Sequence, residues 1–203
     1  MTPQVHPCAG LLASLAKLVT GSHTRWIDCP AEPVQRLYFA NHTSHLDFVA
    51  LWAALPEQLR IRTHPVAARE YWERNRFRSY LATQVFQSVL VARSGERTVL
   101  SPMLEELEKG SSLILFPEGT RGNGDEVAEF KAGLYHLCMA KPDLEAVPVY
   151  LENLNRILPK GEFLPVPLMS RVTFGPPIKP NENEGKGHFL DRARQALCRL
   201  KDL

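Results

Sequence analysis

A histidine and an aspartate five residues apart, His42 and Asp47, follow a short apolar run that ends at Ala40. The apolar residues around this pair predict a strand over 37–40 and a helix over 46–55, so the pair lies in a strand-to-helix turn. On one regular helix, side chains at this spacing would point about 140° away from each other, but across a turn they can converge. A carboxylate bonded to one imidazole nitrogen fixes the tautomer and leaves the other nitrogen free to take a proton. The pattern is typical of a site that activates a hydroxyl group, either of a serine or of a substrate.

Two other interpretations of the same residues stay open at this point. Ser44 followed by Asp47 before an apolar run fits a capping box, in which the aspartate closes the start of the helix. His42, His45 and Asp47 could instead ligate a metal ion, because imidazole and carboxylate are common metal ligands. Spacing alone favours the cap over the catalytic pair and the metal site.

A second motif, Phe-Pro-Glu-Gly-Thr-Arg at residues 116–121, follows a predicted strand over 112–116. Together with Asn41-His42 and Asp47, this motif makes the chain resemble the lysophospholipid acyltransferase family, which includes the 1-acylglycerol-3-phosphate acyltransferases. The resemblance extends from about Tyr38 to Ile178.

Two weaker sequence motifs, which correspond to the second and fourth conserved blocks of the family, accompany the two motifs above. Val91-Ala92-Arg93 stands where the second block of the family ends, and residues 147–149, Val-Pro-Val, stand where the fourth block lies. The second block of the family usually opens with a glycine six residues before its arginine, and this chain has Gln87 there.

The resemblance implies transfer of a fatty acyl group from a thioester donor, acyl-CoA or acyl carrier protein, to the free hydroxyl of a lysophospholipid. The acceptor it points to is 1-acylglycerol-3-phosphate, which would give phosphatidate. It assigns His42 and Asp47 to catalysis, and it implies no cofactor and no metal. The substrate-binding residues that it implies are Arg93, Glu118, Gly119, Thr120 and Arg121.

These assignments agree with the chemistry of the side chains. His42 would remove the proton of the acceptor hydroxyl, whose oxygen attacks the thioester directly, so no enzyme nucleophile is needed. A G-x-S-x-G nucleophile elbow is absent from the sequence, which argues against a serine hydrolase. Arg121 offers a planar fork suited to phosphate, and Gly119 lets backbone amides approach an anion. Glu118 would repel a phosphate, so we expect it on the glycerol hydroxyls or holding Arg121.

The length of 203 residues and the balance of 44% hydrophobic and 23% charged residues predict an ordinary globular domain. Predicted strands alternate with predicted helices, which indicates a single α/β domain with a largely parallel or mixed sheet flanked by helices. The four cysteines are far apart in sequence, as expected in a reducing cytosol. We divide the chain into residues 1–25, an amphipathic membrane-interface helix with its lead-in, and residues 26–203, the acyltransferase domain.

The N-terminal segment 10–20 predicts a helix with one leucine-rich face. Eleven residues span only about 16 Å, too short for a hydrocarbon core of ~30 Å, so we expect no membrane crossing. A signal peptide is not expected either, because the preceding residues have no basic side chain except His6. The helix either packs on the domain or lies in the membrane interface, and the second option predicts a peripheral protein at the cytoplasmic face of a membrane.

Segment 60–97 is markedly basic, with eight arginines against three glutamates, and aromatic residues stand between them. Such a segment most often forms the solvent-exposed face of a helix. No nucleic-acid-binding motif accompanies it, so we do not expect nucleic acid as a partner. An anionic membrane surface, the phosphates of coenzyme A or an acidic carrier protein fit the segment better.

Two alternative functions stay open from the sequence. One is a lipid- or membrane-binding module that keeps the motifs without turnover. The other is a metal-dependent hydrolase that uses His42, His45 and Asp47.

Overall fold

The structure, a computed structural model, describes residues 9–92, 96–124, 126–157, 166 and 168–203. One sheet of seven strands runs through the described residues. Its strands are β1 (His23–Trp26), β2 (Arg36–Ala40), β3 (Thr63–Ala68), β4 (Val89–Val91), β5 (Ser112–Leu115), β6 (Glu145–Glu152) and β7 (Arg171–Phe174). The helices are α1 (Ala9–Thr20), α2 (Asp47–Ala54), α3 (Glu57–Arg60), α4 (Arg69–Trp72), α5 (Arg76–Tyr80), α6 (Glu96–Glu108), α7 (Gly133–Ala140), α8 (Leu154–Ile157) and α9 (Lys186–Arg199).

The strand order is β1-β7-β6-β2-β5-β3-β4, so β2 lies at the centre of the sheet. The pairing of β6 with β7 is antiparallel, and the other strand pairs are parallel. The sheet is therefore mixed but largely parallel, as the alternation of strands and helices predicts.

Both faces of the sheet are buried, because β2 alternates its side chains between two apolar cores. Tyr38 and Ala40 face the core that contains α1 and α2. Leu37 and Phe39 face the opposite core, which α6, α7 and α9 cover. Strands buried on both faces read as continuous apolar runs, which is why the sequence Leu-Tyr-Phe-Ala predicted this strand.

Helix α1 packs on α2 through a face of small side chains, Ala9, Ala13, Ala16 and Thr20. The leucines of the amphipathic pattern are on the other side: Leu11, Leu15 and Leu18 are 72%, 52% and 80% exposed. The helix thus packs on the domain and also presents an apolar outer face. In the described part of the chain, no helix has both the length and the apolar composition needed to cross a bilayer.

Several elements differ from the sequence prediction. The sequence did not predict β1, and its pairing with β7 from His23 onward places residues 23–25 in the sheet. It also did not predict β3, whose sequence contains Pro65 between short runs of small residues. Pro102 was expected near the start of its helix but lies inside α6.

Candidate active site

His42 and Asp47 meet at the carboxyl end of β2. The Nδ1 atom of His42 lies 2.9 Å from Oδ2 of Asp47, and the aspartate side chain is fully buried while that of His42 is 23% exposed. With the Nδ1 proton donated to the carboxylate, Nε2 carries the free lone pair. The imidazole is therefore arranged as a proton acceptor toward its exposed side.

Backbone amides fix the Asp47 carboxylate. The amides of Thr43 and Ser44 donate to Oδ2 of Asp47 at 2.6 and 2.8 Å. These donors lie in the loop before α2, and the residue at the N-cap of α2, Leu46, makes no side-chain cap. The bond from the Ser44 amide is the one that a capping box predicts, and the amide of Leu46 also donates to the Ser44 hydroxyl at 3.3 Å. The same carboxylate binds the histidine, so the cap and the His–Asp pair occur together. Two amide donors and the N-terminal end of α2 stabilise its buried charge.

A second contact fixes the ring of His42. Its centroid lies 4.4 Å from that of Phe116, with 26° between the ring planes. Phe116 follows directly after β5, and β5 pairs in parallel with β2. The two sequence motifs therefore meet because their strands are neighbours, and the stacking removes a rotation that the single bond to Asp47 would leave.

The Phe-Pro-Glu-Gly segment forms a tight turn after β5. The amide of Gly119 donates to the carbonyl oxygen of Phe116 at 3.0 Å, with Pro117 at the second position of the turn. Gly119 has a φ of +70°, which favours glycine. Its own amide is thus used inside the turn.

Glu118 is buried beneath this turn, with 4% of its surface exposed. The amide of His42 donates to Oε1 at 2.7 Å, and the amide of Ala128 donates to Oε2 at 2.9 Å. The sequence led us to expect this carboxylate on glycerol hydroxyls or on Arg121. In the described structure it instead holds the backbone of His42, and no bond joins it to Arg121.

The remaining residues of the motif surround the exposed side of the loop. Thr120 is exposed and Arg121 is half-buried. The loop returns to the histidine at Gly122, whose amide donates to the carbonyl oxygen of His42 at 2.9 Å. Both backbone polar groups of His42 are thus bonded to the segment that carries Arg121.

Two residues near the site were missed as functional candidates. Asn41 exchanges two hydrogen bonds with the backbone of Leu151 on β6, at 2.9 and 2.8 Å, and so anchors the loop that carries His42. Lys131 lies across Gly119, where a Cβ would come within 2.8 Å of its last three side-chain atoms. Asn41 had a signal, since it stands directly before His42 in the motif. Lys131 had none in its spacing.

His45 belongs to a different cluster from Asp47. The hydroxyl of Tyr71 lies 3.3 Å from Nδ1 of His45, their rings stack with centroids 5.4 Å apart, and the guanidinium of Arg78 lies 4.8 Å from the centre of the Tyr71 ring. Partial burial, and then the positive charges of Arg121, His42 and Arg78, lower the pKa of His45 below its ordinary value. The neutral imidazole is therefore favoured, and the two arginines lie close enough to act on it.

Arg93, the fifth predicted substrate-binding residue, lies outside the described residues. The strand before it, β4, is at the edge of the sheet, with β3 and β5 between it and β2. Within the described ranges, no group of three or more His, Cys, Asp or Glu side chains is placed to hold a metal ion. The metal interpretation of His42, His45 and Asp47 therefore has no donor set there, because the two imidazoles bind different partners.

Comparisons with known proteins add to this geometry. A family model described as Acyltransferase matches residues 31–152, which include both strong motifs and the strands that carry them. The chain belongs to the acyltransferase family.

This chain has curated relatives that are named as acyltransferases. It is 31% identical over 152 residues to the 1-acyl-sn-glycerol-3-phosphate acyltransferase of Limnanthes alba, covering 72% of this chain and 51% of that protein. It is 29% identical over 112 residues to a lyso-ornithine lipid O-acyltransferase of Pseudomonas aeruginosa, covering 53% of this chain and 38% of that protein. The chain thus spans about half the length, or less, of these curated relatives.

The fold of the chain also has a solved counterpart. The structure of the 1-acyl-sn-glycerophosphate (LPA) acyltransferase PlsC from Thermotoga maritima superposes with a TM-score of 0.73 at 18% sequence identity. The match covers 95% of this chain and 79% of that one. The α/β fold expected from the sequence is confirmed.

Proposed function

We propose that this chain transfers a fatty acyl group from a thioester donor, acyl-CoA or acyl carrier protein, to the free hydroxyl of a lysophospholipid. The observation that carries the proposal is the 2.9 Å contact between Nδ1 of His42 and the fully buried carboxylate of Asp47. The names of the relatives support an acyl transfer, and among the acceptors that they indicate we choose 1-acylglycerol-3-phosphate.

The proposed reaction is a single displacement. Nε2 of His42 takes the proton of the acceptor hydroxyl while the hydroxyl oxygen forms a bond to the thioester carbonyl carbon. The carbon–sulfur bond then breaks, and the departing thiolate takes the proton back from the imidazolium. Asp47 keeps the tautomer that this step requires and stabilises the imidazolium, as the aspartate of a catalytic triad does.

The acceptor is bound, in this proposal, by the loop that follows β5. Arg121 is half-buried and directly precedes Gly122, whose amide bonds to the backbone of His42, so in this proposal its guanidinium binds the phosphate through two parallel hydrogen bonds. Thr120 is exposed beside it, and Gly119 gives the turn its shape. Arg93 keeps its expected role as a substrate-binding residue.

The first test replaces the two catalytic side chains. His42→Ala should abolish transfer from acyl-CoA to lysophosphatidate, because no other group at this position can take the proton. Asp47→Asn should lower kcat about 10⁴-fold, since its amide would face Nδ1 and impose the wrong tautomer. The exposed histidine of α9 provides a matched control, so His188→Ala should leave the rate unchanged. Full activity in a folded His42→Ala protein would contradict this mechanism.

The second test concerns the phosphate. Arg121→Ala should reduce kcat/KM for lysophosphatidate about 10- to 150-fold, the equivalent of one charge-assisted hydrogen bond. The reduction should be much smaller for a monoacylglycerol of the same chain, which lacks the phosphate. Arg121→Lys should not restore normal kinetics, because it keeps the charge but loses the fork. An equal loss on both acceptors would mean that Arg121 supports the loop only.

We also propose that the protein acts as a peripheral protein at the cytoplasmic face of a membrane, where its lipid acceptor resides. The support is the outer face of α1, on which Leu11, Leu15 and Leu18 are exposed while the opposite face packs on α2. Lys17 on the same helix and Arg25 in β1 are basic side chains suited to anionic head groups.

A further inference from the structure

A cationic and aromatic cluster lies next to the proposed active site and has no role in the reaction as written above. It consists of His45, Tyr71 and Arg78, joined by the 3.3 Å contact from the Tyr71 hydroxyl to His45 and by the 4.8 Å contact of Arg78 with the Tyr71 ring. His45 is in the same turn as His42, so the cluster borders the site through the chain itself.

The position of Arg78 is fixed by its environment. The guanidinium lies over an aromatic face, and the backbone amide of Arg78 donates to the side chain of Asn75 at 2.8 Å. In the part of the chain that the structure describes, no carboxylate neutralises this guanidinium. Cation–π contact leaves the N–H groups at the edge of the guanidinium available to bind an anion.

The chemistry of His45 also suits an anion. Its Nδ1 atom faces the Tyr71 hydroxyl, and when that hydroxyl donates, the proton of the neutral ring is on Nε2. Such a ring is a hydrogen-bond donor toward its exposed side. Arg78 of α5 and His45 of the turn before α2 therefore both offer donors, and both contact Tyr71.

The surrounding segment indicates which anion is bound. Arg74 is exposed four residues before Arg78, and Phe77, directly before Arg78, is 70% exposed. Arginines and an exposed aromatic ring suit a nucleotide, whose phosphates pair with guanidinium groups and whose base stacks on aromatic side chains. Of the two substrates, only the donor coenzyme A carries a nucleotide.

We propose that Arg78, held over Tyr71 beside His45, binds a phosphate of coenzyme A and so places the acyl thioester next to His42. This inference rests on the proposed function, because it assigns the donor to one side of His42 and leaves Arg121 to the acceptor. It extends that function by selecting coenzyme A as the donor.

The test compares two arginines of the same helix. Arg78→Gln and Arg76→Gln remove the same charge from α5, but only Arg78 contacts the Tyr71 ring. Binding of free coenzyme A, measured by calorimetry with each purified protein, should weaken about tenfold or more in Arg78→Gln, which loses a charge-assisted bond. The affinity for coenzyme A should change by less than about twofold in Arg76→Gln, because the charge of an exposed side chain away from the Tyr71 ring is screened by solvent. Arg78→Lys should recover only part of the loss.

Further ligands locate the contact. Pantetheine, which lacks every phosphate, should bind wild type and Arg78→Gln equally. Tyr71→Phe should bind coenzyme A more tightly than Tyr71→Leu, because it keeps the ring beneath the guanidinium. Equal affinities of Arg78→Gln and Arg76→Gln for coenzyme A would overturn the proposal. So would a loss that falls on lysophosphatidate instead, because the phosphate would then belong to the acceptor.

The same proteins separate this inference from the proposed function. If wild type binds coenzyme A through Arg78 but transfers no acyl group, the proposed function fails and the binding site stands. If wild type transfers from acyl-CoA and the two glutamine variants have equal KM values for it, the binding site fails and the function stands.

Discussion

At the scale of single residues, Glu118 has the most specific role in the site apart from the catalytic pair. Its two oxygens bind the amides of His42 and Ala128, which are distant in sequence. A buried carboxylate that accepts two amide hydrogens replaces backbone pairing that a loop cannot supply by itself. Glu118 is therefore a positioning residue, which aligns the backbone that carries the general base.

Replacing this carboxylate should affect stability and turnover together. Glu118→Gln keeps one acceptor but directs an amide NH₂ at a backbone N–H. We therefore expect the free energy of unfolding, measured in urea, to be about 1–3 kcal/mol lower than that of wild type. Because His42 would be displaced, kcat should fall while the KM for lysophosphatidate stays close to that of wild type. The exposed Glu129 of the same loop serves as the control, and Glu129→Gln should change stability by less than about 0.5 kcal/mol.

A different result would restore the role expected from the sequence. If Glu118→Gln unfolded like wild type and only the KM for the acceptor rose, the carboxylate would contact the glycerol hydroxyls.

At the scale of elements, the loop before β4 contains a strained residue. Gln87 has a φ of +48°, in the left-handed region, and it stands where the family usually has a glycine. Gln87 thus adopts a left-handed backbone conformation that glycine tolerates easily. For a residue with a Cβ this conformation costs about 1–2 kcal/mol. Strand β4 begins two residues later, at Val89.

This strain can be measured with a pair of variants. Gln87→Gly and Gln87→Ala both remove the side chain beyond Cβ, so the difference between them isolates the backbone. We expect the glycine variant to be more stable than the alanine variant by about 1 kcal/mol, measured as the free energy of unfolding. An alanine variant of equal or greater stability would show that the loop relaxes away from positive φ.

At the scale of the whole molecule, the exposed leucines of α1 determine how the protein would meet a bilayer. Leu18→Asp should lower partitioning onto vesicles of phosphatidylcholine and phosphatidylglycerol about tenfold, because a leucine side chain contributes roughly 1.5–3 kcal/mol when buried. Turnover of a short-chain soluble acceptor should be unchanged. Met139→Asp is the matched control, since Met139 is 50% exposed on α7, across the sheet, and should not affect partitioning.

Two outcomes would contradict this docking surface. Equal partitioning of Leu18→Asp and Met139→Asp would mean that α1 makes no contact with lipid. Loss of the folded state in Leu18→Asp would mean that the outer leucines stabilise the domain.

The sequence predicted those parts of the fold in which one residue pattern has one structural solution. The continuous apolar runs of β2, β5 and β6 have no other stable position than a buried sheet. Helix α2 was predicted because residues 46–55 are strongly apolar and contain no glycine or proline. The short strands β1 and β3 could not be predicted, because β1 has a single apolar residue, Trp26, and β3 contains a proline.

The site was predictable to the same extent. The meeting of His42 with Asp47 follows from a turn between two elements that the sequence identifies. The partners of Glu118 do not, because a carboxylate buried among backbone amides has the same sequence as one that faces a ligand. The cluster of His45, Tyr71 and Arg78 depends on how the segment after β3 folds back, and no local pattern encodes that path.

The way Glu118 is bonded has a consequence for how such sequences diverge. Its partners are backbone amides, which every residue type except proline supplies. The bonds of Glu118 therefore do not restrict the side chains at positions 42 and 128. The same holds for Asn41, which binds only the backbone of Leu151. A few side chains can therefore hold together stretches of chain through backbone groups alone, whatever side chains those stretches carry. Two short motifs can then identify this architecture in a chain whose remaining residues have changed.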